Sequence, residues 1–379
     1  MADTRSLVEH FEILTDPRIE RAKKHSLRDI LVIAICAVIC DADGWEDIEQ
    51  FGKSREVWLK TFLDLKNGVP CHDTFARVFA RLEPKAFQRC FVEWISTVHA
   101  TTAGQVVPID GKTLRRSFDK AKALGALHLV SAWSLQNKLV LGHVKVDAKS
   151  NEIPAISELL DLLSLRGCIV TIDAIGCQRD IADKIIANQG DYVLALKGNQ
   201  KGLHDKVQRD MDGADHARLT ARFGAPLTMT EKEHGRLEER RYWLTSDLSW
   251  LSGASEWPGM RGLGIAERST ESNGSRVVER RYFLVSFGGN LPLFASAARG
   301  HWSIESMHWC LDVTFREDLS QIRKGHGPEN FAMLRRAALS LLKQAPGPKM
   351  SLAKRRYRAA LEEGFLLQCL SSEVRLANE

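Results

Sequence analysis

Cys168-Ile-Val-Thr-Ile-Asp173 is an apolar run of strand length that closes on an acid, and Val106-Val-Pro-Ile-Asp110, earlier in the chain, has the same form. Both read as buried strands, since neither alternates apolar and polar residues as a strand with one wet face does. Between them lie two more strand-like runs, Leu127 to Ser134 and Leu139 to Val146, joined by the polar turn Gln136-Asn137-Lys138. A helix pattern follows, opened by Ser150 or Asn151, with Pro154 near its first turn and Ile156, Leu159, Leu160 and Leu163 on one face. After Asp173 come a helix over Arg179 to Asn188, a strand Tyr192-Val-Leu-Ala-Leu196 and the turn Lys197-Gly-Asn-Gln200. Strand, hairpin, helix, strand, helix, strand is an α/β order that builds a mixed sheet.

Outward from this core the texture changes. Residues 201 to about 290 are polar and strand-rich, with an internal echo, Glu239-Arg-Arg-Tyr-Trp-Leu244 and Glu279-Arg-Arg-Tyr-Phe-Leu284. Two copies are too few for a repeat architecture and predict paired, related strands in a mainly β insertion. Helix resumes near Arg299 and runs to the C-terminus, with breaks at Gly325 to Pro328 and Pro346 to Pro348. Residues 1 to about 100 read as helical, Leu27, Ile30, Leu31 and Ala34 recurring at helical spacing. There Asp73 is an N-cap for a helix that buries Phe75, Val78, Phe79 and Leu82 and leaves His72, Arg77 and Arg81 outside. The expected division is a helical 1–100, an α/β 101–345 carrying the insertion, and a basic helical tail 346–379.

With 379 residues, 44% hydrophobic and 27% charged, the chain buries a substantial core. Its eight cysteines include no Cys-x-x-Cys pair, and Cys36 and Cys40 sit in an apolar helix, which argues for reduced thiols and against a disulfide framework or a structural zinc site. Ile30 to Cys40, the longest apolar stretch, falls short of the roughly 20 residues a bilayer requires and lies too far in for a signal peptide, so a cytoplasmic protein without a membrane partner is expected. Net charge is only +5, yet Arg316 to Arg358 holds eleven Lys or Arg against three acids, a local +8 suited to a polyanion.

Acids at the ends of neighbouring buried strands open onto the site edge of an α/β sheet. Carboxylates brought close repel unless they share a proton or bind a cation, and oxygen-only ligands favour Mg²⁺ or Mn²⁺. A third acid is offered by Arg299-Gly-His-Trp-Ser-Ile-Glu305, continuing to Asp312. His301, Glu305, His308 and Asp312 fall at steps of four, three and four and so share a helix face, with Ile304, Met307 and Leu311 beside them for packing. Three carboxylates with two ions would serve phosphoryl transfer. Trp243, Trp250 and Trp257 in the insertion are candidates for base stacking or, more simply, for the core.

At these residues the chain resembles the DDE transposases of bacterial insertion sequences, of the H-repeat-associated type found near Rhs elements. The matching pieces are Gly68-Val-Pro-Cys-His-Asp-Thr-Phe-Ala-Arg-Val-Phe79, Ile109-Asp-Gly-Lys-Thr-Leu-Arg-Arg116, Lys149-Ser-Asn-Glu-Ile153, Ile172-Asp-Ala-Ile-Gly-Cys-Gln178, Leu194-Ala-Leu-Lys-Gly-Asn-Gln200, and His301-Trp-Ser-Ile-Glu305 through Leu311-Asp-Val-Thr-Phe-Arg-Glu-Asp318. They cover nearly the whole chain in the family's order. The resemblance implies a ribonuclease-H-like catalytic core with the β insertion before its third acid, preceded by an all-helical DDE-associated domain that binds DNA.

It further implies that Asp110, Asp173 and Glu305 are catalytic and hold two Mg²⁺ ions, replaceable by Mn²⁺. The implied partners are double-stranded DNA, as transposon ends and as target, and a second copy of the chain in a homodimer on DNA, at the bacterial nucleoid when acting. Around the glutamate the broader superfamily carries Tyr, two residues, Arg, three residues, Glu, six residues, Lys, where this chain has Ala298, His301, Glu305 and Asp312. Phosphate contacts then fall to Arg299, His301, Arg316 or Arg323, and to Lys112, Arg115, Arg116 and Lys197 at the strand ends. Two alternatives stand beside strand transfer: a nuclease of the same fold that does not join ends, and a DNA-binding remnant of an insertion sequence.

Overall fold

A computed structural model describes residues 7–20, 23–98, 104–118, 125–147, 149–211, 213–233, 236–272 and 275–370. In chain order the elements are α1 (Leu7–His10), α2 (Leu27–Ile39), α3 (Trp45–Ser54), α4 (Glu56–Leu59), α5 (His72–Arg81), α6 (Pro84–Val98), β1 (Val106–Leu114), β2 (Leu127–Ser134), β3 (Leu139–Lys145), α7 (Glu152–Leu162), β4 (Ile169–Ile172), α8 (Arg179–Ala187) and β5 (Asp191–Leu196). They continue with α9 (Lys201–Met211), α10 (His216–Phe223), β6 (Leu227–Glu233), β7 (Arg236–Thr245), β8 (Gly262–Ser272), β9 (Ser275–Val285), α11 (Leu291–Gly300), α12 (Ser303–Trp309), α13 (Gly327–Gln344), α14 (Leu352–Leu361) and α15 (Glu363–Leu370). The chain forms two compact units, one of Met1–Ala100, Gly111–Asn151 and Glu305–Glu379, the other of Thr101–Asp110 and Glu152–Ile304, and β1 passes from the second to the first after Asp110.

In the unit containing Thr101–Asp110 and Glu152–Ile304 the strands run β1-β4-β5-β9-β8-β7-β6. The three inner strands β1, β4 and β5 are parallel, and every residue of β4 is buried, as an apolar run covered on both faces requires. The stretch 201–290 does not form a separate body: β9 returns antiparallel to β5, so β6 to β9 lengthen the same sheet. It is also less purely β than its sequence suggests, because α9 and α10 precede the strands. Their cores are narrow stripes, Leu203, Val207 and Met211 in α9 and Leu219 and Phe223 in α10, which a polar background hides. The echoed hexapeptides are related but not paired with each other. They lie on β7 and β9, which flank β8, so Ile265 faces Trp243 on one side and Tyr282 on the other.

Helix α11 rests on the insertion strands, where the Phe294 ring lies against Gly264 of β8, leaving no room for a Cβ there. Asn290 caps α11 through its side chain and Pro292 occupies the first turn, so the helix begins at Leu291, eight residues before the point at which periodicity first signals it.

The other unit combines the β2-β3 hairpin and the end of β1 with most of the helices, in strand order β3-β2-β1. Its centre is α2, buried from Asp29 through Ile39 and packed against α13 and α3. The Ser26 hydroxyl accepts the Asp29 N–H to start α2. With 13 residues α2 is a core helix, and no helix among the described residues is long and apolar enough to cross a membrane. The helix over His72–Arg81 buries Phe75, Val78 and Phe79 as its pattern requires, but it starts ahead of Asp73, with Cys71 at the N-cap position.

Candidate active site

The register Ile109↔Ile172 between parallel β1 and β4 places Asp110 level with Asp173, where strand spacing is about 4.8 Å, but only Asp173 stands at a strand end: β1 does not stop at its acid as expected and runs on to Leu114. Both are half-buried. An Asp173 oxygen accepts the Ile175 N–H at 3.0 Å, which turns the chain immediately after the strand. Gly176 in that turn fits only without a side chain, since a Cβ would run into Ile172 and Ile156. The turn after β5 clamps the loop: Asn199 Nδ2 donates to the Ala174 carbonyl, and Gln200 Nε2 donates to the Cys177 carbonyl at 2.9 Å. The Lys197-Gly-Asn-Gln200 segment is therefore a strut for the loop beyond Asp173, and Lys197 itself is exposed.

His301 shares a 3.0 Å hydrogen bond with the hydroxyl of Thr171, a buried residue of β4 two positions before Asp173 and so on the same strand face. Burial pushes the imidazole below its ordinary pKa, only partly opposed by the Asp173 carboxylate, while Arg281 and Lys197 push the same way as burial. His301 is thus neutral at neutral pH and holds its neighbours by hydrogen bonding rather than by charge. Thr171 is a residue that sequence reading passed over; its only signal was a hydroxyl inside an otherwise apolar run.

Glu305 lies exposed on α12. The expected common face of His301, Glu305, His308 and Asp312 does not form. His301 sits between α11 and α12, and a π-helical turn over Cys310–Thr314 shifts the phase, a break that spacing alone does not reveal. Ile304, Met307 and Leu311 are buried as expected. Trp309, one turn past Glu305, is 60% exposed, whereas Trp243 and Trp257 belong to the core and Trp250 lies beneath the Arg222 guanidinium at 3.8 Å. Among the described residues no three His, Cys, Asp or Glu side chains are gathered so as to hold a metal ion.

Several expected phosphate-binding cations are otherwise engaged. Lys112, 8% exposed, places its ammonium 2.7 Å from Asp312, 3.1 Å from Glu317 and 3.4 Å from Asp318, which makes it the centre of a buried ion cluster rather than a solvent-facing contact. Burial alone would raise the Glu317 pKa, but Arg336, Lys112 and Arg335 outweigh it and hold the carboxyl down to about 2. Arg299 pairs with Glu231 at 2.5 Å, and Arg316 pairs with Asp41 at 3.0 Å and also with Asp43. Arg115 is largely exposed and 3.4 Å from Asp318, Arg116 is exposed, and Arg323 lies over the Phe118 ring.

Residues 101–341 match the family described as the Transposase DDE domain, and residues 8–95 match the family described as DDE_Tnp_1-associated. The chain belongs to the DDE transposases. Curated relatives of this transposase include "Putative transposase YncI" of Escherichia coli O157:H7, 40% identical over 97% of this chain and 95% of that one. Another is "H repeat-associated putative transposase YhhI" of Escherichia coli K12, 38% identical over 97% and 98%. A solved piggyBac transposase synaptic complex with hairpin DNA covers 95% of this chain at a TM-score of 0.43 and 11% identity, too distant to carry weight. The order β3-β2-β1-β4-β5, with the first pair an antiparallel hairpin and the last three strands parallel, is the ribonuclease-H-like core that a DDE transposase domain implies.

Proposed function

We propose that this transposase cleaves DNA at transposon ends and joins those ends to target DNA, with Asp110, Asp173 and Glu305 as its metal-holding catalytic acids. The observation that carries this reading is the Ile109↔Ile172 register, which sets Asp110, inside β1, level with Asp173, just past the end of the parallel strand β4. Glu305 enters by its place in the family motif. All donors are carboxylate oxygens, the set that hard divalent cations take, and a cation would relieve the repulsion of the adjoining aspartates. When bound, a pair of Mg²⁺ ions, or Mn²⁺ in their place, would stabilise both the attacking and the leaving oxygen of an in-line displacement.

The protein's own groups prepare this site. The Ile175 N–H and the Asn199 and Gln200 amides fix the loop that orients Asp173. Neutral His301, tied to Thr171, fills the space beside Asp173 without adding a charge that would compete with a metal. Arg115, Arg116 and Lys197 are exposed cations able to meet phosphates, and two copies of the chain act together so that both transposon ends are held at once.

The test is to mix the purified protein with DNA carrying its flanking element ends and Mg²⁺, beside Asp173→Ala. The expected result is cutting and joining by the wild type and binding alone by the variant. Cutting without joining would make the chain a nuclease of this fold. Binding without cutting by both, in Mg²⁺ and in Mn²⁺, would make it a DNA-binding remnant.

A further inference from the structure

Several arginines in the unit built from Met1–Ala100, Gly111–Asn151 and Glu305–Glu379 have acidic partners: Arg55 with Glu363, Arg316 with Asp41 and Asp43, Arg336 with Glu317, Arg356 with Asp41 and Arg358 with Glu362. One small surface departs from this habit. Arg77 and Arg81 stand one turn apart on the solvent face of α5, and Arg323 and Lys324 are exposed in the segment before α13. Among the described residues, none of these four cations pairs with a carboxylate. Glu83, the acid nearest to Arg81 in sequence, is occupied in accepting the Lys85 and Ala86 N–H groups at the start of α6.

The two pieces are fastened together. The His326 N–H donates to the Ala80 carbonyl at 3.1 Å, and Asn330 Nδ2 donates to the Phe79 and Leu82 carbonyls at 2.7 and 2.9 Å, so α13 and its leading loop satisfy the open carbonyls at the end of α5. Gly325 adopts a φ of +55° with its Cα pressed on the Ala80 carbonyl, where a Cβ would overlap the oxygen. A bond at Ala80 brings residues 323–326 against Arg81. Sidewise, the Arg323 guanidinium lies 5.2 Å from the Phe118 ring centre, which holds its charge at the surface without neutralising it.

We infer that Arg77, Arg81, Arg323 and Lys324 form a ledge that grips the sugar-phosphate backbone of duplex DNA, independently of base sequence. Four unneutralised cations held at one place by a left-handed glycine that packs on the Ala80 carbonyl and by three hydrogen bonds are suited to a polyanion that presents charges at regular intervals. A ledge made from the end of a helix and an abutting loop contacts phosphates, whereas base readout would need the helix face itself to lie in a groove. The inference rests on the transposase reading only in naming DNA as the polyanion.

The experiment measures binding of the full chain to a duplex of arbitrary sequence, without divalent metal, across salt concentrations. Each lost phosphate contact lowers the slope of log affinity against log salt by about 0.9. Removing all four in R77Q/R81Q/R323Q/K324Q should flatten it by roughly 3 to 4, so that between about 50 and 200 mM salt the wild type loses about a hundredfold more affinity than the variant. The pairs R77Q/R81Q and R323Q/K324Q should each give about half, and Gly325→Ala, which unseats the loop without changing charge, should fall in the same direction. Lys60→Gln, which removes a cation already paired with Glu56, should leave the slope as it is. An unchanged slope in the quadruple variant overturns the ledge, as does an equal flattening by Lys60→Gln or a change in sequence preference in place of salt dependence. End cleavage by a variant whose slope is unchanged removes the ledge while leaving the transposase reading intact; a wild type that binds no duplex removes both.

Discussion

Glu317, in a short helical turn, and Asp173, just past β4, are both acids of one α/β chain, yet their surroundings are opposite. Glu317 is 1% exposed and has Arg336 at 2.7 Å and Lys112 at 3.1 Å, so its charge is fully spent inside the protein. Asp173 is half-buried, has a backbone N–H for a partner and a neutral histidine nearby, and among the described residues pairs with no cation. An acid saturated by buried cations holds the fold together, and one left beside neutral donors can accept a cation from solvent. That contrast separates the structural carboxylates of this chain from those proposed as catalytic better than sequence position does, since Asp312, Glu317 and Asp318 lie in the same motif-bearing stretch as Glu305.

The contrast can be broken by two isosteric changes. Asp173→Asn should cost about a thousandfold in end cleavage, about 4 kcal/mol of barrier, while leaving the unfolding free energy within about 0.5 kcal/mol. Glu317→Gln should do the reverse to stability, lowering it by about 3 to 5 kcal/mol, because Arg336 and Lys112 are left buried with uncompensated charge. Denaturant unfolding and a cleavage assay on both variants decide the matter. A Glu317→Gln protein as stable as wild type would show that the buried cluster is not a structural core.

A smaller effect sharpens the comparison on the other side. Gly264 of β8 lies under the Phe294 ring of α11, and this contact sets the depth at which α11 rests on the sheet. Gly264→Ala should destabilise by about 1 to 3 kcal/mol through overpacking, since Phe294 is fully buried and has nowhere to withdraw. Thermal unfolding checks this, and a neutral or stabilising effect would mean that α11 floats over the strands.

The buried strands were legible because continuous apolar runs leave few other structures open, and the parallel order followed from the alternating helices, but the polar continuation of β1 from Asp110 to Leu114 was not. The echo at Glu239 and Glu279 was visible, but its geometry was not, because relatedness does not say which strand lies between. Helices α9 and α10 were missed where three or fewer buried residues carry a polar helix. The chemistry of the site was only half readable. The apolar runs leading to Asp110 and Asp173 place the two acids level on neighbouring strands, but the π-turn after α12, the neutral state of His301 and the capture of Lys112 by three acids all depend on contacts that the sequence does not display. A cation two residues past a proposed catalytic acid looks like a phosphate contact until its partners, some two hundred residues later, are known.

The same buried cluster yields the mildest and most selective prediction. His143 on β3 and His308 on α12 are both pushed down to about 3, by burial first and then by the charge of Arg336. Their folded pKa values lie below the unfolded value near 6.5, so as pH falls below 6.5 the unfolded chain takes up protons that the folded chain refuses. Stability is therefore full above about pH 6.5 and is lost on the way down towards 3, at about 1.4 kcal/mol per pH unit for each histidine. The His143 Nδ1 makes no hydrogen bond among the described residues, so His143→Leu gives up little else. Unfolding free energies measured from pH 7 to pH 5 should fall less steeply in His143→Leu than in wild type, by about 1.4 kcal/mol per pH unit, with the two proteins parallel above pH 7. Equal slopes would mean that His143 is protonated in the folded protein, and the positive charge assigned to the cluster around Glu317 would then have to be redrawn.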